Sequence, residues 1–265
     1  MSLPRLIAGI LLLLSSQTAL ALTVCYEEGV SYPYSLGRAA LKQTQGGIVV
    51  DMLRQAAVHH HLILELRAWP WKRCLQSLQN NEVDGAFAII WSAERDEIAV
   101  FPKENYSPET PPLGKYRLWR AQYPFFVNRS GEIHWDGNQI SGYRFGFAAP
   151  AGYIAQQKLM RSGLHVSGEL DLDTAFRMIN LNRLDGYVIE TAIGLHRLRE
   201  MGLADQIITL PIPYMSADWY LAFSRGYFKE HRNTAWQIWQ TLAEIRQTRG
   251  EELMGNYLPG SNILP

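Results

Sequence analysis

Two stretches of the chain repeat one pattern in its two halves: QNNEVDGAFAII at Gln79–Ile90 and NLNRLDGYVIET at Asn180–Thr191. Each has an apolar helical lead-in, an asparagine, Asp-Gly and a short apolar run. Three positions are identical in the alignment: Asn81 with Asn182, Asp84 with Asp185, and Gly85 with Gly186. The pattern predicts a helix, a tight turn and a strand, with the aspartates as structural turn residues. Because that unit is common, coincidence and a true repeat remain equally open on these identities.

The segments around the two stretches alternate between strand and helix patterns. In the first half, LILELRAW and GAFAIIW read as strands, and IVVDMLRQAAVHHH and WKRCLQSLQNN read as helices. Prolines then interrupt regular structure between Phe101 and Pro124. A second alternation follows, ending in the strand WYLAFSR and a long helix. This order predicts an α/β protein with mainly parallel sheets flanked by helices.

Polar residues follow the strand of each repeated stretch. Trp91, Ser92 and Arg95 come after the first strand, and Glu190 and Thr191 end the second. In open parallel sheets, ligands bind beyond the carboxyl ends of the strands. Two facing halves would therefore offer one cation and one anion across a shared cleft.

Composition excludes several classes of function. The 265 residues carry no net charge and are 47% hydrophobic, so no overall field attracts nucleic acid or an anionic membrane. Eight Trp and thirteen Tyr fit either a lined pocket or an ordinary core. No metal-ligand spacing, phosphate loop or nucleophile elbow is present, and His59–His61 are consecutive residues that splay apart on a helix. We expect no metal and no cofactor.

The N-terminus has the three-part pattern of a secretory signal peptide over residues 1–21. An apolar core is followed by a polar stretch and by Ala19-Leu20-Ala21, a small-x-small cleavage site. An uncleaved anchor is the alternative, although the apolar core is short for a membrane span. Val24 stands where a lipid-attachment signal would need a small residue before Cys25. We therefore expect a soluble, exported protein of the periplasm that begins at Leu22.

Cys25 and Cys74 are the two cysteines of the chain. In an oxidising compartment they are a possible disulfide, which requires the first strand and the second helix to be neighbours. Two buried thiols are an equally open alternative.

Six motifs in order across the chain resemble those of the extracytoplasmic solute-binding proteins of family 3. They are EGVSYPY, GGIVVDMLRQAA, LQSLQNNEVDGAF, SAERDEIAVFP, ISGYRFGFAAPAG and RLDGYVIE. That family comprises type II periplasmic binding proteins of amino-acid ABC transporters. The resemblance implies two lobes joined by two hinge crossovers, with a ligand buried on closure. Residues 22–107 and 216–265 would form the first lobe, and residues 108–215 the second.

The resemblance also implies roles for particular residues. Arg95 matches the family arginine that holds a ligand carboxylate, and its planar fork suits a bidentate grip. A surface arginine paired with Asp96 or Glu97 is the alternative. Gly152 and Tyr153 open a helix whose free N–H groups favour an anion. Glu190 falls where the family has an acid that binds the ligand amine; pairing with Arg183 is the alternative.

Further residues are candidates for the walls of the cleft. Tyr34 and Trp71 would stack on the ligand, and Trp69 competes with Trp71 for that role. Glu28 is a possible second acid near the amine, and Arg73 a possible second cation. Two departures from the family pattern, Ile89-Ile90-Trp91 and Ala148, make the expected pocket more apolar and favour a bulky or aromatic solute.

The sequence therefore predicts a monomeric binding protein for an amino acid or related carboxylate. Its partner would be an ABC permease or a membrane sensor. The alternative is an enzyme on the same fold, a periplasmic dehydratase of the cyclohexadienyl dehydratase type, with Glu190 or Glu28 as its acid.

Overall fold

The computed structural model describes residues 20–107 and 109–258. Most of the predicted signal peptide, residues 1–19, lies outside the described residues and stays a prediction. The remaining two residues of that segment are described, and Ala21 is the first residue of a strand paired with Ile63. No helix in the described part of the chain is long and apolar enough to cross a membrane.

The described residues form strands and helices in alternation. The strands are β1 (Ala21–Glu27), β2 (Ile63–Trp69), β3 (Gly85–Ile90), β4 (Trp119–Tyr123), β5 (Phe125–Asn128), β6 (His134–Trp135), β7 (Ile140–Ser141), β8 (Phe147–Ala148), β9 (Gly186–Val188), β10 (Ile207–Thr209) and β11 (Met215–Phe223). The helices are α1 (Ile48–His59), α2 (Trp71–Gln79), α3 (Ala93–Ile98), α4 (Ile154–Arg161), α5 (Leu172–Asn180), α6 (Thr191–Glu200), α7 (Arg225–Glu230) and α8 (Arg232–Tyr257).

Two main sheets carry the fold. The first has the order β2-β1-β3-β11-β4, with β1 parallel to both β2 and β3 and with β11 antiparallel to its neighbours. The second has the order β10-β5-β9-β8 and is mixed: β8 and β9 are parallel, and β5 is antiparallel to β9 and β10. The predicted α/β architecture with two sheets is confirmed.

The chain passes between the sheets twice. Pro124 separates β4 in the first sheet from β5 in the second, and the return runs between β10 and β11. The proposed lobe boundary at residues 107 and 108 precedes the first passage, because β4 pairs with β11. The second predicted boundary, between residues 215 and 216, lies one residue inside β11, which begins at Met215.

The repeated turn is built in the same way in both halves. Asn81 and Asn182 follow the ends of α2 and α5 with φ of 58° and 53°, the left-handed conformation that asparagine tolerates. Each asparagine therefore stops its helix and redirects the chain toward a strand.

The two aspartates tie each turn to a neighbouring strand. The Asp84 carboxylate accepts the N–H of Thr23 at 2.7 Å, and the Asp84 N–H donates to the Thr23 carbonyl at 2.8 Å. Asp185 likewise donates its N–H to the Gly146 carbonyl at 3.1 Å, and its carboxylate accepts the N–H of Gly146 at 2.6 Å. The shared motif is a structural device, as predicted for both aspartates.

The glycines of the motif allow close strand packing. A Cβ added at Gly85 would lie 3.2 Å from the Ala222 carbonyl oxygen, and one at Gly186 would lie 2.8 Å from that of Phe126. Because the obstacle at Gly186 is backbone, it cannot rotate away. Any side chain there would have to displace β5.

The Cys25 and Cys74 sulfurs are bonded, with their Cα atoms 5.7 Å apart. The bond joins β1 to the first turns of α2, which packs beside that strand. It therefore fixes the relative position of two elements that both reach the cleft described below.

We expect Gly186→Ala to lower the free energy of unfolding by roughly 1–3 kcal/mol, because overpacking forces the backbone of β5 to move. Gly255→Ala is the matched control: this glycine lies exposed in α8 with no atom near the added Cβ. Denaturant unfolding of both variants measures the difference. Equal stability of the two variants would contradict the close packing described for β9.

We expect reduction of the disulfide to lower the free energy of unfolding by about 4 kcal/mol, on the chain-entropy relation for a bond spanning 49 residues. Thermal unfolding with and without dithiothreitol measures the effect. The double variant Cys25→Ser/Cys74→Ser should melt at one temperature under both conditions. A wild-type protein that is equally insensitive to reductant would show that the bond does not form in solution.

A candidate ligand-binding cleft between the two sheets

A cavity of about 590 Å³, part of it open to solvent, lies between the two halves of the molecule. Its lining from the N-terminal and first-sheet side is Tyr26, Glu27, Ser31, Tyr34, Ser35, Trp71, Phe87, Ala88, Ile90, Arg95, Tyr123 and Trp219. From the second side it is Tyr153, Ile154, Ile189, Glu190 and Ile193.

The carboxyl ends of the strands place the charged residues of the cavity. Glu27 is the last residue of β1, Arg95 follows β3 by one turn of α3, and Glu190 comes two residues after β9. This agrees with the rule for ligands in α/β sheets.

Arg95 is 5% exposed and is held by backbone carbonyls rather than by a carboxylate. Its Nη1 donates to the Ile90 carbonyl at 2.9 Å, and its Nη2 donates to the Gly152 carbonyl of the opposite side at 3.0 Å. The guanidinium carbon lies 5.7 Å from the Trp71 ring centroid. Burial lowers the pKa of Arg95 to about 10, which leaves the side chain charged at neutral pH.

Glu190 is 4% exposed and caps helix α6. Its Oε2 accepts the N–H of Ile193 at 3.0 Å, and its Oε1 accepts the hydroxyl of Tyr34 at 3.1 Å. Burial raises the pKa of Glu190 to about 7, and the hydrogen bonds from Ile193 and Tyr34 oppose that rise. The carboxyl group therefore changes its charge near neutral pH.

Neither buried charge has an ion-pair partner among residues 20–107 and 109–258. The protein partners that the sequence left open are engaged elsewhere or distant. Asp96 pairs with the buried Lys103 at 2.6 Å, and Arg183 is exposed. Burying a charge without a partner costs free energy, so a ligand group of opposite charge would stabilise each of the two side chains.

Aromatic rings form most of the cavity wall. Three of the aromatic sequence candidates, Tyr34, Trp71 and Tyr153, line the cavity. The rings of Trp71 and Tyr153 contact each other across it, with their centroids 6.1 Å apart. Tyr123 and Trp219 also line it and are joined by a 2.7 Å hydrogen bond from the indole to the hydroxyl. The wall is therefore apolar and rigid, apart from its few charged groups.

Gly152 does not present a free N–H group for an anion, as the sequence had implied. Its N–H donates to the Gln156 side chain at 2.8 Å, and its carbonyl accepts from Arg95. The reason is its φ of +78°, which turns the peptide before α4 begins. Gly152 orients the arginine instead of contacting an anion through its amide.

Glu28 does not line the cavity either. It forms an ion pair with Arg38 on the surface, with its Oε2 2.9 Å from Arg38 Nε. Its neighbour Glu27 lines the cavity instead, where the N–H groups of Gly29 and Trp71 hold its carboxylate at the end of β1.

The remaining sequence candidates divide clearly. Trp69 does not line the cavity, and the Arg73 guanidinium lies 4.5 Å above the Trp69 ring instead. Ile90 lines the cavity, whereas Ala148 is buried in β8. Within the described residues, no group of three or more His, Cys, Asp or Glu side chains is arranged to hold a metal ion.

Several wall residues were not among the sequence candidates. Tyr26 and Phe87 stack at 4.8 Å on adjacent strands, and Tyr123 and Trp219 come from the strands that flank the crossovers. Nothing in the sequence shows that β4 and β11 are paired, so the positions of Tyr123 and Trp219 in the cavity wall could not be predicted.

No protein-family model and no curated protein sequence matches the chain. Solved structures do match. A histidine kinase sensor domain with similarity to periplasmic binding proteins aligns with a TM-score of 0.70 at 18% identity, covering 91% of this chain and 97% of the other. A substrate-binding protein of an ABC uptake transporter from Streptococcus pneumoniae, with bound histidine, gives 0.67 at 12% identity, with 92% and 94% covered.

A third similar structure is the GluR0 ligand-binding core from Nostoc punctiforme in complex with L-glutamate. It aligns with a TM-score of 0.67 at 14% identity, covering 89% of this chain and 99% of that one. These likenesses span nearly the whole of each chain. The chain therefore has the two-lobed type II fold of the periplasmic solute-binding proteins.

Proposed function

We propose that the protein is a solute-binding protein that closes on a small zwitterion, an amino acid or a related carboxylate. The observation that carries the proposal is the pair of buried, unpaired and opposite charges, Arg95 and Glu190, in one cavity. A ligand carboxylate would accept from Arg95, and a ligand ammonium would donate to Glu190. Hydrogen bonds to charged groups contribute about 1.5–3 kcal/mol each, enough to select for both groups.

Bound amino acids in the similar structures support this ligand class. The Streptococcus pneumoniae protein holds histidine, and the Nostoc punctiforme core holds glutamate. The aromatic wall around Trp71 and Tyr34 would contact the ligand side chain. Tyr34 also joins the two halves through Glu190, so ligand contact and lobe closure would involve the same groups.

We place the protein outside the cytoplasmic membrane, exported by the N-terminal segment. It would deliver its solute to an ABC permease or report it to a membrane sensor. Both roles occur among the similar structures, which include a transporter component and a sensor domain.

A dehydratase-type enzyme is the second candidate, and one observation favours it. Glu190 has a pKa of about 7, which suits a group that must donate a proton at neutral pH. Incubation with prephenate or arogenate, followed by product analysis, separates the two functions. Release of a product would overturn the binding-only proposal, whereas intact recovered substrate supports it.

We expect Arg95→Ala to abolish binding of any carboxylate ligand, because no other arginine or lysine lines the cavity in the described chain. A thermal-shift screen of the wild-type protein against amino acids, polyamines and organic acids identifies the ligand by mass action. Calorimetry on the variant then measures the loss. Arg183→Ala, at an exposed arginine outside the cavity, is the control and should bind normally. Unchanged binding by Arg95→Ala would remove Arg95 from the site.

We expect affinity for an amine-bearing ligand to fall as the pH drops from 8 to 5. The ammonium group favours the Glu190 carboxylate, so binding below a pKa of about 7 must release a proton. Titration calorimetry in buffers of different ionisation enthalpy detects that proton. Proton-independent binding across this range would contradict contact between the amine and Glu190.

The Glu190 carboxyl group also makes the stability of the ligand-free protein depend on pH. Its folded-state pKa is raised, so its contribution to stability is present at low pH and is lost as pH rises from about 4.5 through 7. Glu190→Gln should therefore stabilise the ligand-free protein at pH 8, by up to roughly 3 kcal/mol, and much less at pH 4.5. Glu28→Gln, at the exposed ion pair, is the control. Equal melting temperatures of Glu190→Gln and wild type at pH 8 would contradict burial of the charge.

A further inference from the structure

A second carboxylate, Glu27, faces the same cavity as Arg95 and Glu190. It is the last residue of β1, beside the N-terminus of α2, and it is partly buried. Its Oε1 accepts the N–H of Gly29 at 3.1 Å, and its Oε2 accepts the N–H of Trp71 at 3.2 Å. Its position is therefore fixed, and it lies next to an aromatic ring of the wall.

Glu27 has no cationic partner among the side chains that the structure describes. Lys72 follows Trp71 closely, but it pairs with Glu169 on the surface. Burial raises the pKa of Glu27, and hydrogen bonds from backbone N–H groups oppose that rise. A carboxylate accepts more than two hydrogen bonds, so Glu27 retains acceptor capacity toward the cavity.

The charged groups in the cavity do not balance for a neutral zwitterion. Arg95 would donate to the ligand carboxylate and Glu190 would accept from the ligand ammonium, which leaves Glu27 uncompensated. We infer that Glu27 selects a ligand with a second cationic group, that is, a basic amino acid or a carboxylate of the same charge pattern. This inference rests on the function proposed above and adds the charge of the ligand side chain.

The surrounding rings suit such a side chain. Trp71, Tyr26 and Tyr153 line the cavity with Glu27, and aromatic faces attract a cation as well as an aliphatic stem. The basic end of the ligand would lie against these rings and donate to the Glu27 carboxylate.

A purely structural role for Glu27 is the competing explanation. An acid at a helix N-terminus is stabilised by the free N–H groups there, and Glu27 accepts from the first residue of α2. That role predicts a variant with reduced stability and unchanged ligand preference. The inferred role predicts a change of preference between ligands that differ only in the charge of the side chain.

Arginine and citrulline form such a pair, since they have nearly the same shape and differ in the charge of the terminal group. We expect the wild-type protein to bind arginine more tightly than citrulline by about tenfold or more. In Glu27→Gln the ratio should fall to within about threefold, because the compensating charge is absent. Calorimetry with both ligands on both proteins measures the ratio directly.

Two variants keep the test decisive. Glu28→Gln removes the neighbouring surface carboxylate and should leave the arginine to citrulline ratio unchanged. Glu27→Asp keeps the charge and should retain most of the preference, which also serves if Glu27→Gln folds poorly. A wild-type preference for citrulline, or a ratio that Glu27→Gln does not alter, would overturn the inference while leaving the zwitterion-binding function intact. Failure of the proposed function itself would appear separately, as unchanged binding by Arg95→Ala.

Discussion

The cleft depends on one constraint, which is that ionised groups taken out of water must be held by hydrogen bonds when no opposite charge is supplied. Arg95 meets it with two backbone carbonyls, and Glu190 meets it with a backbone amide and the Tyr34 hydroxyl. These bonds orient the groups without neutralising them. The charges of Arg95 and Glu190 therefore remain uncompensated, and a ligand with the complementary charges can compensate them.

The two sheets place the charged groups of the cavity close together. β1, β3 and β9 end at the cavity, and the Asn-x-x-Asp-Gly turns start β3 and β9 at matched positions. Each turn stops a helix, its aspartate hydrogen-bonds to the backbone on one side, and its glycine leaves room for the strand on the other side. The two halves thus share the geometry of the turn, whereas the side chains that follow the strands differ between the two walls of the cavity.

The sequence allowed much of this to be predicted, for physical reasons that can be stated. The placement of Arg95 and Glu190 beside one cavity was predictable because strands of strong apolar pattern end just before them, and ligand sites in such sheets lie beyond the ends of the strands. Glu28 was expected at the cavity, but it pairs with Arg38 on the surface and Glu27 lines the cavity instead, because side-chain pairing at the end of a strand is not encoded in the local pattern. Gly152 was misassigned because the peptide orientation in a turn depends on φ, which the residue type does not determine.

The unpredicted part of the cavity comes from long-range pairing. Tyr123 and Trp219 are far apart in the chain and meet only because β4 and β11 are neighbours in the first sheet. Local patterns identify strands, but they do not say which strands pair after two crossovers. The same limit applies to the stacking of Tyr26 on Phe87.

The Cys25–Cys74 disulfide restricts movement within one wall of the cavity. It joins the strand that carries Glu27 to the helix that carries Trp71, so the charged and aromatic parts of this wall form one covalently linked unit. If one sheet moved relative to the other on ligand binding, the internal spacing of that unit would stay the same. Little conformational entropy would then be lost within this part of the wall, and the free energy of binding would go into bringing the two sheets together.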